Sequence, residues 1–196
     1  MEEYLKFRAD SQPGDINICQ YLLDKGKDMV SSPLDGEQKE MAIFLSQLNG
    51  NPKAKQCFYN AMFMCMVSHS DSDLISRIKY CEGYVSCKAP FPVHHAWITL
   101  DGKIVDVTMT TNNYTLEQMT EFMELGTELP RSEDLSDRIL GEIPEGWQYF
   151  GVEYDAKEIA KDFIDRKTSF SVIDDWERGW PLLQKNDQTQ DQILYK

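Results

Sequence analysis

Basic residues are scarce in this chain: 20 lysines and arginines stand against 33 aspartates and glutamates in 196 residues, a formal net charge of -13. That balance repels phosphate backbones, so no nucleic acid is expected to bind directly through a basic face. Surplus carboxylates usually lie on solvated faces, and an acidic face offered to a basic protein partner is the sharper alternative. CxxC spacing is also missing. The five cysteines, Cys19, Cys57, Cys65, Cys81 and Cys87, signal neither a disulfide framework nor a zinc site, so reduced thiols and no metal or cofactor are expected. No apolar run approaches membrane-spanning length, and Met1 to Arg8 lacks the basic-then-apolar order of a secretory leader. The expectation is a soluble, cytoplasmic chain without membrane contact. There is no internal repeat, phosphate loop or cluster of metal ligands. The length fits one compact domain, taken as residues 1–185, followed by a polar tail over 186–196 that is expected to be disordered.

What is present is a run of elements with readable ends. Residues 1–35 hold scattered apolar positions broken by Pro13-Gly14, Gly26 and Pro33, and read as short helical pieces and turns. From Asp35, an expected N-cap, the residues Met41, Phe44, Leu45 and Leu48 recur at helical spacing, and Gly50 supplies a stop. The run from Cys57 to Val67 is apolar nearly all round, as a buried central helix would be. Ser70 to Asp73 caps a short helical piece, and Tyr80 to Cys87 reads as a strand whose Gly83 permits close approach of another backbone. Val93–Leu100 and Lys103–Met109 flank Asp101-Gly102, a two-residue hairpin turn that needs positive φ at both positions. Further on, Thr115 to Gln118 opens a helix ending near Gly126, and Ser132 starts another before Gly141. Trp147 to Tyr154 reads as a further strand of the same sheet. Asp155 then caps a helix with Ile159, Ala160, Phe163 and Ile164 on its inner stripe.

Cys57 falls in the first turn of the central helix, where unpaired N-H groups and the positive end of the dipole favour a thiolate. A single buried cysteine is most often just a small apolar residue, and Cys65 on the same helix reads that way. The hairpin adds a second consideration. With a two-residue turn, Trp97 faces Asp106 and His95 faces Thr108, so His95, Trp97, Asp106 and Thr108 share one side of the ribbon and His94 points to the other. Asp106 and His95 are then diagonal neighbours, at a backbone separation of ~7–8 Å that side chains can bridge. An unpaired charge inside Ile104-Val105-Asp106-Val107 is costly to bury, and His95 is its nearest partner. A slip of one residue would select His94 instead.

These segments together resemble a known superfamily. Cys57-Phe58-Tyr59-Asn60-Ala61 opening a helix, Glu82-Gly83-Tyr84 on a strand, His95-Ala96-Trp97, and Gly102 to Thr108 in the pattern Gly-x-x-Val-Asp-x-Thr are similar to the papain-like/transglutaminase-like core. The likeness covers roughly residues 50–110, with a looser echo in Trp147 to Tyr154. It implies an α+β fold in which the cysteine-bearing helix lies on an antiparallel sheet, and a Cys-His-Asp triad of Cys57, His95 and Asp106. Members include peptidases, transglutaminases, peptide N-glycanases and arylamine acetyltransferases, so the implied chemistry is thiol attack on an amide or thioester carbonyl of a protein or peptide-like substrate, without a cofactor. An oxyanion donor is needed beside the Cys57 backbone N-H, and Asn51, Gln56 and Gln47 are the candidates. Trp97 and Phe91 are candidates for lining the cleft. From a different class, the chain could be an inactive acidic binding or inhibitor protein on the same fold.

Overall fold

The computed structural model describes residues 1–12, 14, 16–30, 32–48, 55–87, 91–110, 146–167 and 170–184. The expected helices between Thr115 and Gly141, the Gly50 stop and the 186–196 tail lie outside these residues. In chain order the elements are α1 (Glu2–Ser11), α2 (Ile18–Lys25), β1 (Lys27–Met29), α3 (Gly36–Leu48), α4 (Cys57–Ser68), α5 (Ser72–Arg77), β2 (Ile78–Ser86), β3 (Val93–Leu100), β4 (Lys103–Val105), α6 (Val107–Thr110), β5 (Gln148–Asp155) and α7 (Ala156–Arg166). A short 3-10 turn follows at Trp176–Arg178. The class is α+β. Five strands form one antiparallel sheet in the order β1-β5-β2-β3-β4.

Local chemistry accounts for most boundaries. Asp71 accepts hydrogen bonds from the N-H groups of Asp73 and Leu74 at the start of α5, and Asp155 does the same for Lys157 and Glu158 at the start of α7. The hairpin turn has φ of 52° at Asp101 and 78° at Gly102, and its ladder pairs Leu100 with Lys103 and Thr99 with Ile104. α4 has no exposed residue along its length, as its all-round apolar pattern predicts. It lies in the main core with Ile78, Tyr80, Ala96, Ile98, Leu100 and Val105 from the sheet and Ile159 and Ala160 from α7. A smaller cluster of Cys81, Val85, Trp97, Ile104 and Tyr149 gathers the side chains of opposite parity.

Gly83 and Gly151 face each other across β2 and β5. A Cβ on Gly83 would come within 2.1 Å of the Phe150 carbonyl oxygen, and one on Gly151 within 2.5 Å of the Glu82 oxygen and 2.9 Å of the Trp97 ring. The space at Gly151 is thus filled by that indole.

Three local expectations differ from what is found. β1 is a strand in a region read only as helices and turns, held at the sheet edge by β5. α3 buries only half of the Met41/Phe44/Leu45/Leu48 stripe: Leu45 is buried and Met41 packs against the core, Phe44 and Leu48 are exposed, and Gln38, Ala42 and Ser46 take the remaining inward places. Gln38 explains the rotation, because its amide donates to Asp101 at 3.0 Å and accepts from Lys103 at 2.7 Å, tying the helix to the hairpin turn. In α7, Ile164 is exposed and Ala156 takes the inward place. A fourth difference, the early end of β4, belongs to the site.

Candidate functional site

The strand expected over Lys103–Met109 stops at Val105, because the next residue uses its side chain to begin a helix. Asp106 Oδ1 accepts hydrogen bonds from the N-H groups of Thr108 (3.0 Å) and Met109 (2.9 Å), which turns the chain into α6. Its other oxygen, Oδ2, lies 2.8 Å from His95 Nε2 and accepts from the Tyr149 hydroxyl at 2.8 Å. Asp106 is completely buried and His95 is 3% exposed. A carboxylate in that position is tolerable because these donors replace the water it has lost. From α4, the buried amide of Asn60 donates to Thr108 Oγ1 at 2.8 Å and so anchors the start of α6 to the cysteine-bearing helix.

Cys57, in the first turn of α4, is among the groups that raise the pKa of the same imidazole. Asp106 occupies Nε2, so Nδ1 is the nitrogen left for the sulfur. Burial on its own drives the ring toward neutrality, but the Asp106 charge and hydrogen bond, then Cys57, overcome it and push His95 up to about 10. Burial likewise works to raise Asp106, and its partners, His95 foremost, hold the carboxyl below its ordinary range. For Tyr149, burial first and the Asp106 charge second push the hydroxyl well up, which keeps it a donor. Among the other cysteines, burial raises the thiols of Cys19, Cys65 and Cys81.

Trp97, expected near a cleft, is 1% exposed; its ring lies near-parallel to His95 at 6.3 Å and meets Tyr149 edge-on at 5.0 Å. It therefore supports the imidazole from within the core and lines no opening. Phe91 is exposed. Of the oxyanion candidates, Gln47 and Gln56 are exposed and the Gln56 side chain makes no cap hydrogen bond, while Asn51 lies outside the described residues. His94 takes the other side of the ribbon, stacked on Tyr84 and edge-on to Phe58. Its Nε2 lies 3.1 Å from Glu82 Oε1.

Two participants were not foreseen. The sequence marks Tyr149 only as part of a strand, although its alternation with Trp147 puts both on one face. Glu82 enters the sequence pattern only as part of Glu82-Gly83-Tyr84. It is fully buried and accepts hydrogen bonds from the Tyr80 and Ser171 hydroxyls and from the N-H groups of Val172 (2.7 Å) and Ile173 (3.2 Å). Its position inside a strand between two tyrosines was the available signal. Among the described residues no group of three or more His, Cys, Asp or Glu is placed to hold a metal ion, and no helix is long and apolar enough to cross a membrane. Comparison with protein-family models, curated proteins and solved structures returns no match for the chain.

Proposed function

We propose that the protein is a thiol-dependent hydrolase or acyltransferase that acts on amide bonds through Cys57, His95 and Asp106, on a core of papain-like/transglutaminase-like type. One observation carries this reading: a buried imidazole held by a carboxylate 2.8 Å from its Nε2 has its pKa raised further by the first-turn cysteine of α4. A nucleophile needs an adjacent base, and the base needs an orienting group.

In the reaction so assigned, His95 takes the Cys57 proton as the sulfur attacks the substrate carbonyl carbon. The carbonyl electron pair moves to oxygen, for which the Cys57 backbone N-H at the start of α4 is the natural donor. As the tetrahedral centre collapses, the C-N bond breaks and His95 gives its proton to the leaving amine. Water, or a second amine, then attacks the thioester with His95 taking its proton, and the sulfur leaves. Asp106 keeps Nε2 engaged throughout and so holds Nδ1 toward the sulfur.

The test is alkylation. Near neutral pH, iodoacetamide should label Cys57 faster than Cys65, and His95→Ala should remove most of that advantage. A panel of peptide, isopeptide and glutamine side-chain amides should then show turnover that fails in Cys57→Ala. Equal, ordinary labelling of all five thiols would sink the assignment and leave an inactive binding protein as the reading to pursue.

A further inference from the structure

Tyr149 shares the oxygen of Asp106 that engages His95: its hydroxyl donates to Oδ2 at 2.8 Å, and His95 Nε2 lies 2.8 Å from that same atom. Two donors on one carboxylate oxygen compete. Each draws electron density that the other would otherwise use, so the tyrosine weakens the hold of Asp106 on the imidazolium proton. The hydroxyl is kept as a donor because burial and the Asp106 charge oppose its ionisation. Its ring packs edge-on to Trp97, which also lies near-parallel to His95. The titratable groups acting on this pair include Cys57 from α4 and Tyr149 from β5, with Cys87 after β2 acting on the tyrosine.

We infer that Tyr149 is a positioning residue that tunes how readily His95 releases its proton, acting through Asp106 without touching substrate. This rests on the proposed catalytic reading for its importance to turnover, but the effect on the ring is a property of the folded protein alone. A tyrosine present merely to fill space would not influence the ring's titration.

The experiment follows the His95 ring protons by NMR against pH in the full chain, for the natural protein and Tyr149→Phe, alongside the pH dependence of Cys57 alkylation. Loss of the competing donor should move the His95 titration upward by a few tenths to about one pH unit, the size of an ordinary hydrogen bond expressed as a shift. A ring fluorinated at position 149 has a more acidic hydroxyl and should move it downward, which keeps the test alive if Tyr149→Phe folds poorly. An unmoved titration in both variants would overturn the inference even if Cys57 proves catalytic. A shifted titration with an unreactive Cys57 would instead uphold it and overturn the proposed function.

Discussion

Two buried carboxylates, Glu82 on β2 and Asp106 just after β4, engage histidines on opposite faces of β3 and are served by nearly the same set of donors. Asp106 has Tyr149, His95 and two backbone N-H groups; Glu82 has Tyr80, Ser171 and two backbone N-H groups, with His94 at 3.1 Å. The histidines are sequence neighbours, separated only by the pleat of β3. What differs is the last partner. His95 has its pKa raised by Cys57 at the start of α4, whereas Glu82 accepts hydrogen bonds from the segment Ser171–Ile173 and holds it on the sheet. A buried carboxylate with a histidine and a tyrosine is thus a common structural solution, and only the company of a nucleophile makes one of these two a chemical proposal.

The contrast is open to direct challenge. Its strongest form concerns Cys57→Ala: amide turnover should fall by roughly a thousandfold or more, with the urea midpoint little changed, and preserved turnover would place the chemistry elsewhere. Next in size is Glu82→Ala, which strips the acceptor from four donors and should cost about 3–5 kcal/mol of stability by urea unfolding. Cys57 alkylation in the native state should be unaffected by it; a matching loss of reactivity would show that the two faces are not independent.

The smallest effect is one of pH. His95 is raised in the folded protein, so its contribution to stability is complete below its unfolded value, roughly 6.5, and is lost as pH rises toward about 10. Asp106 is lowered, so its contribution is present above the ordinary carboxyl range and lost on acidification. Urea midpoints should therefore decline from pH 7 to pH 9, and the decline should be shallower in His95→Gln. An identical slope in both proteins would remove this pair as the source.

The parts of this arrangement that were readable in the sequence are those fixed by short-range geometry. Asp101-Gly102 sets the turn, the turn sets the parity, and parity alone separates His95 from His94. The apolar circumference of α4 likewise announces its burial. Tyr149 and Ser171 were not readable, because the register of β5 on β2 and the course of the chain after α7 are set by pairings far apart in sequence. α3 kept Leu45 and Met41 of its expected stripe on the core but not Phe44 and Leu48, because its inward face follows a polar anchor, Gln38 at the hairpin turn. The early end of β4 shows a side chain overriding strand propensity, since Asp106 satisfies the backbone of α6 better than a continued ladder would.

The strand order has a consequence for how the molecule is made. β2 pairs with β3, the next strand in sequence, and with β5, the last one described. At a synthesis rate of about 5–20 residues per second, the β2–β3 hairpin emerges from the ribosome several seconds before β5 can join it. During that interval the nascent chain carries an open β2 edge next to a histidine and a cysteine that still lack Tyr149, and that edge is free to recruit a chaperone or another chain.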